Sequence, residues 1–281
     1  MGTTRKFVSL TGLTTLILAC ALACLCAVVT RAQAKRADDA ATLLAALREA
    51  GDGWTPNQKR ARDEAVESLK RMGGAAAPSI REFIKTEKGP ARGYAAVALA
   101  GIDPEDALAR RALDDVARKG KGDVVIEVAA ALAEVDPEDD AAVPELVKMA
   151  SKSIFLPSAK KLRQMRGSAQ ALALTAKGVR ALTPLLNHWD SWVRQSALYA
   201  FDERTETLKD ASPATRAAVG DAVPALVKNL ADGDELTREL SAEVLEQLGP
   251  VALPELKKAA ASGDRKLAAA AAELLKQLGR S

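Results

Sequence analysis

The sequence predicts an all-α fold made of stacked helical hairpins, and three observations support this prediction. Aromatic residues make up 3% of the 281 residues while apolar residues make up 48%, a composition that disfavours an aromatic-rich β-sandwich or barrel. Charged residues at 27%, together with the apolar fraction, exclude wholesale disorder. Two residue patterns then recur along the chain, and each is typical of one helix of a pair.

The chain repeats itself near its C-terminus. Gly233–Gly249 and Gly263–Gly279, which are 30 residues apart, share eight of seventeen residues. Both segments end in Leu-x-Gln-Leu-Gly, which is typical of a helix that stops at a glycine. The second copy predicts a C-terminal closing helix over Asp264–Leu278.

A second pattern, apolar-Pro-x-apolar followed by a further apolar residue, predicts the second helix of each pair. Proline in the first turn costs little, because the N–H it lacks has no partner within the helix, and the apolar spacing forms one helix face. One unit fits the same frame with Arg111 in place of proline. We call the proline position of each unit, or Arg111 where proline is absent, its anchor. The anchors are Pro78, Arg111, Pro144, Pro184, Pro224 and Pro254, and they are separated by 33, 33, 40, 40 and 30 residues.

The first helix of each pair carries Arg-x-x-small, often with a large apolar residue seven positions after the arginine. Small residues on the shared face allow the neighbouring helix to approach closely. Asp190 and Asp234 each precede such an arginine by four residues, so we expect them to cap their helices. The arginines are Arg62, Arg92, Arg166, Arg194 and Arg238, and the large apolar residues are Leu69, Leu99, Phe201 and Leu245.

Together these patterns resemble bacterial HEAT-like repeats, of the subclass also found in phycobilisome lyase subunits. The stretch from Asp190 to Leu198 matches the Asp-x-x-Val-Arg-x-x-Ala core of that family, and the resemblance covers about residues 57–281. The third unit departs from it, with Val125 and Val128 where arginine and alanine are expected. The resemblance implies a right-handed α-solenoid of about six hairpins.

A solenoid also follows from packing, because one helical pair cannot bury its apolar face alone and must stack on the next pair. We therefore expect three parts: an N-terminal leader over 1–34, a capping helix and turn over 35–56, and the repeat array over 57–281. Further expected features are an N-terminal helix at Asp38–Glu49, a turn at Gly51–Pro56, an inserted loop at Ser153–Ser158 and a short extra helix starting within Ala211–Thr215.

Residues 1–34 have the three parts of a secretory signal peptide. A basic start at Arg5-Lys6 is followed by the uncharged apolar stretch Phe7–Val29 and by Ala32-Gln33-Ala34. This predicts cleavage after Ala34 and a protein that is periplasmic or secreted. An uncleaved membrane anchor over residues 7–29 is the alternative, since 23 apolar residues can span a bilayer.

All three cysteines lie in the apolar stretch of the leader, at Cys20, Cys24 and Cys26. The residues before Cys20 and Cys24 loosely resemble a bacterial lipobox, so anchoring through a lipidated cysteine is a second alternative. Cleavage after Ala34 would leave a mature protein without cysteine, stabilised by packing and not by disulfides.

The net charge of +3 comes from the leader, which has three basic residues and no acidic residue. The rest of the chain therefore has 37 basic and 37 acidic residues. A neutral body has no global field to attract nucleic acid or an anionic membrane. We therefore expect no nucleic-acid partner, and membrane contact only through the N-terminal segment. One local basic run is interpreted as a solvated helix face: Lys160, Lys161, Arg163 and Arg166.

The sequence offers no catalytic, cofactor or metal residues. His188 is the only histidine, so the usual zinc and copper sites and the histidine-dependent triads would all rest on it. We interpret it as a polar turn residue. No phosphate-binding glycine motif is present. The acidic turns Asp103–Asp106 and Asp136–Asp140 lack the ligand spacing of a calcium loop, and they predict helix starts with acids near the positive dipole end.

Two tryptophans three residues apart, Trp189 and Trp192, stand at a turn before a helix. They could form a hot spot for a partner or a staple between repeats, and we favour the staple. Tyr199 and Phe201 lie further along the same helix and are expected in the core.

By elimination, the expected function is a non-catalytic scaffold that binds a protein or peptide along a curved solenoid surface outside the cytoplasm. The resemblance to bilin lyases implies an alternative, a lyase or other enzyme subunit, which rests on fold analogy alone. A membrane-tethered structural spacer is a third possibility if the leader is retained.

Overall fold

The computed structural model describes residues 35–53, 55–153 and 158–279. Within these ranges the chain is all-helical, with fourteen α-helices packed against their neighbours and no β-strand. The predicted signal peptide, anchor and lipidated cysteines lie outside the described residues. None of the described helices combines the length and apolar character needed to cross a membrane.

The helices are joined by short turns, several of them 3₁₀ turns. The first, α1, covers residues 35–50. The others are α2 Pro56–Met72, α3 Ala77–Thr86, α4 Pro90–Ile102, α5 Ala107–Lys119, α6 Asp123–Val135, α7 Val143–Ala150, α8 Ala159–Leu172, α9 Ala176–Leu182, α10 Ser191–Glu206, α11 Pro213–Asn229, α12 Glu235–Leu248, α13 Leu253–Ala260 and α14 Arg265–Leu278.

From α2 to α14 the main contacts follow two series. Each even-numbered helix packs against the next even-numbered helix, from α2 through to α14. Among the odd-numbered helices, α3 packs on α5, α7 on α9, α9 on α11, and α11 on α13. Most helices also pack on the helix that follows them, and α7 in addition contacts α10, three helices further along the chain. The buried apolar residues of these helices form a single hydrophobic cluster.

The faces predicted from the arginine pattern are buried. All five arginines lie in even-numbered helices, and the small residue three positions after each one is at most 2% exposed. The large apolar residues Leu69, Leu99, Phe201 and Leu245 are fully buried. In the divergent third unit, Val125 and Val128 of α6 are also fully buried, because valine fills the same apolar face.

The proline pattern is confirmed in three units and wrong in two. Pro78, Pro144 and Pro254 lie in the first turns of α3, α7 and α13. Pro184 instead is the second residue of a 3₁₀ turn over Thr183–Asn187, after α9. The helix of that unit starts earlier, at Ala176, because the Thr175 side chain accepts a hydrogen bond from the Gly178 N–H and caps it.

Pro224 is the second exception, since it lies inside α11. The predicted extra helix and the predicted second helix of this unit form one helix of 17 residues. Ser212 caps its start and Pro213 occupies the first turn. A buried face that includes Val219, Val223 and Leu226 runs past the proline on both sides, and this packing offsets the missing hydrogen bond.

The predicted helix caps are present. Asp190 Oδ1 accepts from the Trp192 N–H at 2.9 Å, and Asp234 Oδ2 accepts from the Thr237 N–H at 2.8 Å. In the acidic turn Asp103–Asp106, Asp106 caps α5 as expected. The turn Asp136–Asp140 is not a helix start: α7 begins at Val143 with no side-chain cap, and Asp139 accepts from the Ala141 N–H inside the turn.

The predicted N-terminal helix is present and extends over residues 35–50. The turn that follows it contacts the start of α6, which is distant in the chain. Asp52 accepts hydrogen bonds from the backbone N–H groups of Asp123 and Val124, at 3.2 and 3.0 Å, and so caps α6 from a distant turn. The Tyr94 hydroxyl donates to the same carboxylate at 3.0 Å. α2 begins at Pro56, one residue before the expected start of the repeat array. At the other end of the chain, the predicted closing helix is α14, and Asp264 caps its start.

The expected inserted loop is confirmed where the structure describes it. Residues 151–153 and 158 are non-helical between α7 and α8. The central residues 154–157 lie outside the described chain. The Ser153 hydroxyl donates to Asp190 Oδ2 at 2.5 Å, which ties the start of the loop to the cap of α10.

Candidate binding sites

His188 occupies the turn before α10, where its Nδ1 accepts a hydrogen bond from the Asp190 N–H at 3.1 Å. Its ring lies 5.5 Å from the Trp189 ring, measured between centroids. These contacts fit the interpretation as a polar turn residue. Among the residues that the structure describes, no group of three or more His, Cys, Asp or Glu side chains could hold a metal ion.

The interpretation of the tryptophans as a staple between repeats is wrong for Trp189, which is 78% exposed. Trp192 is 40% exposed. Phe201 is fully buried, as expected for the core, whereas Tyr199 is half-buried, with the Arg166 guanidinium 4.5 Å from the centre of its ring. The turn before α10 therefore presents one large aromatic ring to solvent.

The basic run on α8 is divided between solvent and structural contacts. Lys161 is exposed and Lys160 half-buried. Arg163 Nη2 lies 3.2 Å from Asp123 Oδ2, and Arg166 stacks on Tyr199. The run is thus a partly solvated helix face and not a concentrated basic patch.

A large cavity lies elsewhere, where α3 and α5 end and α4 and α6 begin. We call it the lysine-rimmed cleft; its volume is about 650 Å³. Ile84, Leu108, Val116 and Val124 supply apolar side chains. Five basic side chains line it against two acidic ones: Lys85, Lys88, Arg92, Lys119 and Lys121 against Glu87 and Asp115.

Both acids of the cleft are already paired. Asp115 lies 3.0 Å from Lys119 Nζ and 3.3 Å from Arg92 Nη2, and these hydrogen bonds, the one from Lys119 first, lower the pKa of its carboxyl. Glu87 accepts from Arg48 Nε at 2.6 Å. Within the described part of the chain, Lys88 and Lys121 have no ion-pair partner, so the cleft carries positive charge that no neighbour balances.

The start of α4 adds to this charge. Gly89, the residue before the helix, has a positive φ of 69° and no side chain to accept hydrogen bonds from the first turn. The free N–H groups of a helix N-terminus carry partial positive charge. They lie at the same end of the cleft as Lys88, which precedes Gly89 in the chain.

A second cavity of about 330 Å³ is lined by α6, α8 and α10, and we call it the α8 pocket. Small and apolar residues line much of it, namely Ile126, Ala130, Gly167, Ala171, Ala173, Leu174 and Ala200. A side chain at Gly167 would press against Ile126 of α6, so this glycine allows α8 and α6 to pack closely. The remaining lining residues are polar: Glu127, Gln170, Glu203, Arg204 and Thr207.

Arg204 is the unusual residue of the α8 pocket. Its Nη1 lies 3.3 Å from the Thr207 hydroxyl oxygen, while its Nε is buried without a hydrogen-bond partner. Burial lowers the pKa of this guanidinium. No carboxylate in the described residues lies within ion-pair distance of it. Glu203, its neighbour in the chain, accepts from Gln170 Nε2 at 2.6 Å instead.

Neither cavity was predicted from the sequence, although one signal was available. Lys88-Gly89 and Lys121-Gly122 are 33 residues apart, the same separation as the anchors of their two units, so adjacent units place equivalent basic turns side by side. The sequence matches no protein-family model, and no curated protein shows significant similarity to it. The geometry of the cavities therefore carries the functional argument.

Proposed function

We propose that this protein is an exported, non-catalytic scaffold that binds an acidic segment of a partner protein in the lysine-rimmed cleft. We further propose that its helices form a right-handed α-solenoid of about six HEAT-like hairpins closed by α14. The two series of contacts, among even-numbered and among odd-numbered helices, support this arrangement. The leader-like segment 1–34 supports export, with membrane contact confined to that segment.

The cleft carries the binding proposal. Its volume falls within the range of about 300–1,000 Å³ common for ligand sites, and its open position between two turns leaves room for a chain to enter and leave. The apolar floor would take one apolar side chain of the partner. The surrounding lysines would pair with aspartate or glutamate residues beside it. Because the body without the leader has no net charge, the attraction of an acidic segment depends on this local excess and not on the charge of the whole protein.

A direct test measures binding of fluorescein-labelled peptides by fluorescence anisotropy. One peptide carries a leucine flanked by glutamates, and its control carries glutamines at the same positions. We expect saturable binding of the glutamate peptide that weakens as salt rises, because the pairs at the rim are screened. The double variant Lys88→Glu/Lys121→Glu should weaken binding by about tenfold or more, since two attractive charges become repulsive.

The matched control is Lys209→Glu/Lys257→Glu, which reverses two exposed lysines outside the cleft and changes the net charge equally. It should leave the affinity within about twofold of the unmodified protein, as screened charges distant from the site have little effect. Equal losses in both double variants would show only a response to net charge. That result, or the absence of saturable binding, would reject the cleft as the site.

A further inference from the structure

The α8 pocket is separate from the lysine-rimmed cleft, and the two share no lining residue. It lies across three successive even-numbered helices. α8 packs against both α6 and α10, so residues from the two flanking helices face the pocket from either side of α8. Its volume of about 330 Å³ is at the lower end of the range for ligand sites, which favours a small ligand.

The charged groups of the pocket are one arginine and two glutamates, and one of these, Glu203 of α10, already accepts a hydrogen bond from Gln170. Arg204 comes from α10 and Glu127 from α6. Neither has an ion-pair partner among the residues described, and the two lie too far apart to pair with each other. Between them the surface is formed by small apolar residues such as Ala130 and Ala171. The pocket thus presents an anion-binding group and a cation-binding group across an apolar floor.

We infer that the α8 pocket binds a small zwitterion with an apolar body, such as an apolar amino acid or a dipeptide, with its carboxylate at Arg204 and its ammonium at Glu127. The planar guanidinium suits a carboxylate, which it can bind through two parallel hydrogen bonds.

The charge balance separates this ligand from two simpler ones. A monoanion would satisfy Arg204 but leave Glu127 and Glu203 facing its apolar body. An internal peptide segment has neither terminal charge, so it would leave both Arg204 and Glu127 without a partner. Burying a charged group without a partner is unfavourable, and a zwitterion is the ligand that satisfies both walls.

Isothermal titration calorimetry on the full chain tests this inference with leucine, leucyl-leucine and two blocked dipeptides. N-acetyl-leucyl-leucine lacks the ammonium group, and leucyl-leucine amide lacks the carboxylate. We expect leucyl-leucine to bind, and each of its two blocked forms to bind about tenfold or more weakly, since a hydrogen bond to a charged group is lost. Leucine serves as a comparison: if it binds as tightly as leucyl-leucine, the site takes a single amino acid, and if it binds more weakly, the site takes the dipeptide.

Two variants test which pocket residue binds each charged group of the ligand. Arg204→Gln should abolish the preference for leucyl-leucine over its amide, and Glu127→Gln should abolish the preference over the acetylated form. Arg180→Gln and Glu239→Gln are matched controls, because both side chains are exposed and lie outside the pocket. Circular dichroism melting of each variant shows that it is folded.

Three results would overturn the inference. They are no binding of either zwitterion at millimolar concentration, equal binding of the blocked and unblocked dipeptides, and unchanged preference in a folded Arg204→Gln variant. The cleft variant Lys88→Glu/Lys121→Glu should bind the zwitterion normally, so this test is independent of the proposed function.

Discussion

Replacing Asp52 by alanine would test how the N-terminal helix is attached to the rest of the fold. The Asp52 carboxylate accepts three hydrogen bonds: two from the first N–H groups of α6 and one from the Tyr94 hydroxyl. Gly122, the residue before α6, has no side chain that could replace it as a cap. The substitution therefore removes both the cap of α6 and the acceptor for Tyr94.

The expected loss can be worked from these contacts. Removal of an N-terminal cap costs about 0.5–2 kcal/mol. Tyr94 is 1% exposed, and a buried hydroxyl left without its acceptor costs about 1–3 kcal/mol. We expect Asp52→Ala to lower the free energy of unfolding by about 2–4 kcal/mol, which is large against the usual effect of a surface substitution, about 0.5 kcal/mol.

Urea denaturation followed by circular dichroism measures the global loss, and amide hydrogen exchange of the peptide spanning residues 120–128 measures the local one. The local readout is needed because arrays of similar units can open one part at a time. Asp39→Ala is the control, because Asp39 is an exposed acid on α1. If Asp52→Ala and Asp39→Ala gave the same midpoint and the same exchange at the start of α6, the assignment of Asp52 as its cap would be refuted.

Gly122→Ala provides an independent check of the same contact. Gly122 has a φ of 80°, and a methyl group there would overlap Asp52 Oδ2. Alanine should therefore strain the backbone by about 1–2 kcal/mol and displace the Asp52 carboxylate. Asp52→Ala and Gly122→Ala disrupt the same contact, the cap of α6 by Asp52. The double variant should therefore lose less stability than the sum of the losses in the two single variants.

Three further predictions follow from burial, close packing and charge. Phe201→Ala should lower the free energy of unfolding by about 3–5 kcal/mol. Trp189→Ala should lower it by less than about 0.5 kcal/mol, because the Trp189 side chain is 78% exposed. Equal shifts of the urea midpoint in the two variants would contradict the packing described. Gly178→Ala should lower the melting temperature, because the added methyl would overlap the carbonyl oxygen of Leu172; an unchanged melting curve would show that α9 can shift freely. The hydrogen bond from the Thr237 hydroxyl, together with the one from Gln195, lowers the pKa of the Asp234 carboxyl below its ordinary 3.8. The ionised carboxylate of Asp234 therefore contributes fully to the stability of the fold above about pH 4, and this contribution is lost as the pH falls through the folded-state pKa. Asp234→Asn should therefore be less stable at pH 7 and lose less on acidification; an identical pH profile of the urea midpoint would rule this out.

Local patterns account for what the sequence predicted correctly. An N-terminal cap depends on residues within three positions of one another, which is why Asp190, Asp234 and Asp264 were identified as caps or as the start of a helix. The same local rule misassigned Pro184 and Pro224, because proline is also tolerated in a 3₁₀ turn and, where packing compensates, inside a helix.

Long-range features could not be predicted in this way. Asp52 caps a helix about 70 residues away in the chain, and no spacing rule connects two positions so far apart. The α8 pocket needs residues from three helices. The unusual property of Arg204 is a buried Nε without a hydrogen-bond partner, and this depends on how those helices pack together. Trp189 was misjudged for the same reason, since its residue type favours burial while its turn directs the ring outward.

The proline inside α11 has a mechanical consequence. Pro224 cannot donate the hydrogen bond that the Gly220 carbonyl would accept in a regular helix, so the backbone ladder is interrupted there. Val219 and Val223 before it, and Leu226 after it, are buried against neighbouring helices. Side-chain packing on both sides therefore holds the helix together across this interruption, and we expect α11 to bend at Pro224 wherever that packing is loosened.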